Sequence, residues 1–76
     1  MNNSRRKIIA SNLAELRQTK SILTVILSEE SESLKRIPDD EENAERKVAV
    51  EELIGYIEEA LESLENAIDI LDGADL

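Results

Sequence analysis

The chain has 76 residues, of which 41% are hydrophobic and 36% are charged, and it contains no cysteine, no histidine and a single aromatic residue. A domain of this size buries only ~60% of the surface that its unfolded chain exposes, and the usual disulfide and zinc ligands are missing. The net charge of -9 argues against direct binding to DNA or RNA, which needs a basic surface. Composition therefore predicts one small helical domain, stabilised by self-association.

The first predicted helix covers residues 4–36 and carries the heptad pattern of a coiled-coil seam. Its seam residues recur in alternating steps of four and three. They are Ile9, Leu13, Leu16, Lys20, Leu23, Leu27, Glu30, Leu34 and Ile37. The residue before a proline is disfavoured in the α region, so Pro38 predicts that the helix ends near Arg36.

Three further apolar residues, Ile22, Val25 and Ile26, lie outside this seam in the middle of the same helix. A helix that packs on one partner needs only one apolar stripe, so a second helix of the same chain leaves these three side chains uncovered. They predict an interface between copies of the chain.

A short turn and a second helix follow. Residues 37–40 form the predicted turn and residues 41–72 the helix, with Asp39 or Asp40 as its N-cap. The second seam consists of Val50, Ile54, Ile57, Leu61, Leu64, Ile68 and Leu71, flanked by Leu53 and a row of alanines. Together these features predict an all-α fold: residues 1–76 form one antiparallel, coiled-coil-like helical hairpin that assembles into a homo-oligomeric bundle.

A turn centred near Pro38 also predicts which residues face each other. Both apolar seams interlock in this register. It sets Lys20 near Ile57, Glu30 beside Lys47, and Arg5 and Arg6 near Asp69 and Asp72.

The candidate binding residues at the start of the chain are Arg5, Arg6 and Lys7. Guanidinium groups suit phosphate oxygens, and the free amides of a helix N-terminus add to the attraction for an anion. The alternative is that these residues neutralise the acidic end of the second helix, since exposed charge pairs are common and weak. Both interpretations stay open on the sequence alone.

Three more residues join this candidate set. Lys20 interrupts the first seam, either to fix the register or to line a pocket between protomers. Tyr56 is expected at the same level as Lys20, where it serves as a packing residue or as a shelf on which a nucleobase stacks. Arg46, near the start of the second helix, pairs with neighbouring acids or contributes a further phosphate contact.

Catalysis, metal binding and cofactor binding are not expected. Without histidine or cysteine, no serine has a recognisable base beside it. The glutamates of the second helix are helically spaced, and no turn gathers them into a calcium or magnesium site. We therefore expect a protein that is not an enzyme and that needs no metal and no cofactor.

Several short motifs resemble those of small acidic proteins common in phages and mobile elements of Gram-positive bacteria. They are Arg5-Arg6-Lys7, Glu29-Glu30-Ser31-Glu32, Ile37-Pro38, Ala44-Glu45-Arg46 and the run from Leu64 to Ile68. The resemblance implies a phage accessory protein in the cytoplasm of a bacterial host. It further implies an oligomeric sponge that sequesters a nucleotide immune signal, such as a cyclic dinucleotide.

Two alternatives to the sponge remain. One is a structural or adaptor coiled coil. The other is an acidic inhibitor of a host nucleic-acid-binding factor, which would occupy a basic groove and lose affinity with salt. Under each of these hypotheses the chain associates with itself and does not bind a membrane.

Overall fold

A computed structural model describes residues 3–74. Helix α1 spans Asn3–Arg36, a short 3-10 turn spans Glu41–Asn43, and helix α2 spans Ala44–Asp72. The two helices pack against each other along their length, so the predicted all-α fold with a paired second helix is confirmed. Residues 1, 2, 75 and 76 of the predicted domain 1–76 lie outside the described part of the chain.

The connection between the helices is fixed by polar contacts and by one buried side chain. Asp40 is the N-cap of the 3-10 turn, and its Oδ1 accepts hydrogen bonds from the Asn43 backbone N–H (3.0 Å) and from Asn43 Nδ2 (2.8 Å). Ile37 is buried just after α1. The sequence predicted that the second helix starts at residue 41. In the structure residues 41–43 form the 3-10 turn, and the α-helix begins at Ala44.

Every predicted seam residue of the two helices is buried or half-buried, as heptad packing requires. The core is nevertheless thin. Among the described residues, the hydrophobic side chains that are buried are those of Leu13, Ile37, Ile57 and Ile68. The hairpin on its own thus leaves most of its seam partly accessible to water.

The predicted register is wrong. Lys20 Nζ lies 2.8 Å from Glu65 Oε1, about two helical turns beyond Ile57, where the sequence placed it. Asp72 pairs with Arg17 at 2.6 Å instead of with the basic cluster at the start of α1. The seven-residue repeat explains the error, since both seams interlock equally well after a shift of one heptad.

The predicted contact of Lys47 with Glu30 is also replaced. Lys47 Nζ lies 3.4 Å from Asp39 Oδ1, next to the turn. The connection from residue 37 to residue 43 is longer than the predicted turn at residues 37–40, so its centre lies further along the chain. This displacement moves every cross-helix pair toward the C-terminal end of α2.

Candidate functional site

The cross-helix ion pairs define one flank of the hairpin, here called the charged side. Arg17 pairs with Asp72, and Lys20 reaches from the seam to Glu65. The aliphatic stem of Lys20 covers the seam, and its ammonium group extends to the carboxylate on the flank. These side chains are 38–60% exposed, so each pair contributes little stability and serves mainly to select the register.

An open groove of about 440 Å³ lies on the charged side. It is lined by Arg17, Lys20, Ser21, Thr24 and Ile68. Both cations are paired with carboxylates, and the hydroxyl groups donate to backbone carbonyls one turn earlier, Ser21 Oγ to Arg17 O (3.2 Å) and Thr24 Oγ1 to Lys20 O (2.8 Å). Its polar groups are therefore already engaged, which makes the groove a poor anion site.

The opposite flank, here called the apolar side, carries most of the large exposed hydrophobic side chains. In an antiparallel pair, residues on the same flank of the two seams lie side by side, so the flank away from the ion pairs unites residues of both helices. Its hydrophobic residues are Ile8, Ile22 and Ile26 of α1, and Leu53, Tyr56, Ala60, Ala67 and Ile70 of α2. Glu15 and Glu29 lie in the same heptad row of α1 as Ile8 and Ile22, so the α1 half of this side also carries two exposed carboxylates. Tyr56 is 67% exposed and Ile70 is 75% exposed.

The acidic residues of α2 are kept off the apolar side. Those that follow Val50 all fall, by helical spacing, on the charged side or on the outer face of the helix. They are Glu51, Glu52, Glu58, Glu59, Glu62, Glu65, Asp69 and Asp72. An uncharged stripe thus runs along α2 from Ala49 to Ile70, with exposed hydrophobic side chains along it.

Of the three predicted interface residues, two lie on the apolar side. Ile22 is 52% exposed and Ile26 lies next to the seam, with Leu53 and Ala60 on the same flank of α2. Val25 is also exposed, but helical spacing places it on the outer face of α1. What the sequence did not reveal is that α2 contributes as much to this surface as α1 does.

The predicted ligand residues are not brought together within one chain. Lys20 is paired with Glu65, which lies nine residues after Tyr56 and therefore about 13 Å further along the axis of α2. The expectation that Lys20 and Tyr56 lie at the same level along the hairpin is thus wrong. The basic cluster of residues 5–7 and Arg46 lie near opposite ends of the hairpin, about 45 Å apart.

Within the basic cluster, Arg6 has the most unusual environment. Its side chain is half-buried, whereas Arg5 and Lys7 are exposed. The Nε atom of Arg6 is shielded from solvent and, within the described residues, has no hydrogen-bond partner. A shielded donor without an acceptor is costly, so Arg6 would gain from an acceptor if its side chain moved to expose the Nε atom.

The groove residues Arg17, Ser21 and Thr24 were not recognised from the sequence. A signal for them exists, because Arg17, Lys20 and Thr24 recur at helical spacing along one flank. The spacing alone does not show that Asp72 and Glu65 lie opposite, since that depends on the register.

Gly55 lies on the charged side, in the middle of α2, and a methyl group added there would meet nothing within 4 Å. Glycine is ~1 kcal/mol less favourable than alanine in a helix interior. We expect Gly55→Ala to raise the free energy of unfolding by about 1 kcal/mol, or roughly 4–8 °C in melting temperature. Thermal unfolding followed by circular dichroism at matched protein concentration measures this. A destabilised variant would show that another molecule or backbone closely approaches Gly55.

Residues 3–74 contain no cluster of three or more side chains able to hold a metal ion. Neither helix has, in this part of the chain, the long hydrophobic stretch needed to cross a bilayer. Comparison with known protein families, curated proteins and solved structures found no match to this chain. The charged side and the apolar side of the hairpin are therefore the features that bear on its function.

Proposed function

We propose that this chain is a non-catalytic protein that works as a homo-oligomeric helical bundle, assembled through the apolar side of the hairpin. One observation carries the proposal: large hydrophobic side chains of both helices are exposed together on a single flank. Contiguous exposed apolar surface with polar surroundings is typical of an interaction site.

The thin core supports the same proposal. Among the described residues only four hydrophobic side chains are buried in the single hairpin. Ile22, Leu53, Tyr56 and Ile70 are 44–75% exposed, so covering each of them would add roughly 1–2 kcal/mol, the corresponding share of the value for full burial. Oligomerisation is the usual reinforcement for a chain of this size without disulfides or a structural metal.

Sedimentation equilibrium of the intact chain tests this proposal. We expect the sedimenting species at low micromolar concentration to have at least twice the 8.5 kDa mass of one chain. We also expect the melting temperature to rise with protein concentration, because association stabilises the folded state by mass action. A folded monomer over the whole concentration range would overturn the proposal.

Sequestration of a nucleotide signal is the second candidate function. The resemblance to small phage proteins suggests it, and the shielded Nε atom of Arg6 is the observation that favours it. Phosphate oxygens would accept from this donor and from the neighbouring cationic groups of Arg5 and Lys7. In this interpretation Arg46 and Tyr56 serve the assembly, because they lie far from the basic cluster.

Calorimetric titration with a panel of cyclic dinucleotides tests the second candidate. We expect one of them to bind at micromolar protein, and we expect Arg6→Gln to weaken binding at least about tenfold, since a charge-assisted hydrogen bond contributes about 1.5–3 kcal/mol, or roughly 10- to 150-fold in affinity. Arg36→Gln is the matched control, because it removes the same charge from the other end of α1 and should leave binding unchanged. Failure of the whole panel to bind, or equal losses in both variants, would contradict it.

A further inference from the structure

We propose that two copies of the chain pair with their turns at the same end, so that α1 of each protomer packs against α2 of the other across the apolar side. The result is a four-helix bundle with the two copies of α1 on one diagonal and the two copies of α2 on the other. This geometry rests on the self-association proposed above and specifies how it occurs.

The net charges of the two helices favour this orientation. In α1, seven basic and four acidic residues leave a net charge of +3, whereas in α2 two basic and nine acidic residues leave a net charge of -7. Neighbouring helix axes in a bundle lie about 8–10 Å apart, which is comparable to the screening length of ~8 Å at physiological salt. The carboxylates of α2 lie on its charged side and outer face, further from the contact, so their repulsion is a weak, partly screened bias. A symmetric dimer with its turns at opposite ends would place α2 beside α2, whereas the proposed dimer places every α2 between two copies of α1.

The shapes of the two stripes also agree with this orientation. A two-fold axis along the bundle sets each level of α1 against the same level of α2 in the partner. The pair Lys20–Glu65 fixes these levels, and it puts Ile22 opposite Ser63 and Ile26 close to the level of Ala60. At these two levels large side chains of α1 meet small side chains of α2, and the two helices can approach closely. The same levels set Glu15 near Ile70 and Glu29 near Tyr56 of the partner, at the edge of the contact.

Nearer the turn the sizes are reversed. There a large side chain of α2, Leu53, lies level with a small side chain of α1, Ser33. Tyr56 lies within one turn of the level of Ile26, so its ring covers that isoleucine of the other protomer. Tyrosine suits such a position, because its ring is apolar and its hydroxyl group reaches the wet rim. The proposed dimer accounts for the exposure of the chain's one aromatic side chain.

The size of the apolar side suits a second copy of the chain. The hairpin measures 59 × 14 × 14 Å, so one long side has a projected area of about 800 Å². Stable interfaces of standard size bury ~800 Å² on each partner. A second hairpin of the same length covers this side from end to end.

Pulsed electron spin resonance on single-cysteine variants tests the orientation, since the chain has no cysteine of its own. The variant Glu41→Cys carries a label in the exposed turn, and Gln18→Cys carries one near the middle of α1. Turns at the same end predict a distance below about 30 Å between the two Glu41→Cys labels. Circular dichroism and sedimentation of each labelled variant verify folding and association.

Two results would overturn the geometry, and they are distinguishable. A separation near the 59 Å length of the hairpin for Glu41→Cys, together with a short one for Gln18→Cys, would show turns at opposite ends and leave self-association intact. The Gln18→Cys label reports a distance below about 40 Å in either orientation, because it lies at mid-length. If neither variant gave a measurable distance and both sedimented as monomers, the proposal of a dimer would itself be wrong.

Discussion

Replacing Ile22 with glutamate is expected to dissociate the assembly into monomers. Ile22 is 52% exposed on the apolar side and lies outside the seam, so the change adds a charge to the interface without removing a buried side chain of the hairpin. In a symmetric dimer the charge enters twice. Two uncompensated charges at an interface would cost about 4 kcal/mol or more, which weakens association at least ~1,000-fold. Sedimentation equilibrium measures the loss.

Val48→Glu is the matched control for this prediction. Val48 is 53% exposed and lies on the charged side of α2. Its replacement by glutamate adds the same charge as the replacement of Ile22. We expect this variant to remain associated, with a free energy of unfolding within about 0.5 kcal/mol of the parent, as is usual for surface substitutions. Equal dissociation of the two variants would indicate that net charge disrupts the assembly, and dissociation by Val48→Glu alone would place the interface on the charged side.

The sequence was sufficient to predict the two helices and the seam of each. Heptad spacing identifies the seam directly, because apolar residues repeat at a period that only a helix presents on one face. Pro38 and the aspartates after it indicate the turn for equally local reasons. Of the two aspartates predicted to cap the second helix, Asp40 caps the 3-10 turn, whereas the N-cap position of α2 itself is Asn43, which makes no side-chain cap hydrogen bond.

The register could not be predicted, because a coiled-coil seam is degenerate. A shift of seven residues places apolar residues opposite apolar residues again, so packing alone does not distinguish neighbouring registers. The polar contacts of Lys20 and Arg17 and the length of the connection distinguish them. Since the expected neighbours of Tyr56 and of the basic cluster depended on the register, those expectations failed with it.

The candidate site was predicted in part for a related reason. Ile22 and Ile26 are recognisable from the sequence, because they fall outside a continuous seam. Leu53, Tyr56 and Ile70 appear in the sequence as separate residues beside a second seam. That they share a flank with Ile22 follows from the antiparallel pairing, which the sequence predicts, but it was recognised only once the ion pairs had marked the opposite flank.

Truncation of Ile57 to alanine is expected to destabilise the fold most strongly. Ile57 is one of the four buried hydrophobic residues among those described, and it lies at the middle of the α2 seam. Removing a buried isoleucine side chain to the β-carbon costs about 2–5 kcal/mol through lost transfer energy and the cavity left behind. Small domains have total stabilities of only about 5–15 kcal/mol, so the variant loses a large share of its stability. Urea unfolding followed by circular dichroism measures the change.

Val25→Ala is the control for that truncation, because it removes apolar atoms from a side chain that is 56% exposed on the outer face of α1, away from the seam and from the apolar side. Its cost should be about 0.5 kcal/mol or less. The contrast between the two variants separates burial in the seam from the general loss of hydrophobic surface. If Ile57→Ala cost no more than Val25→Ala, the seam between α1 and α2 would not be the stabilising core. If Val25→Ala were the costlier variant, packing between protomers would involve the outer face of α1.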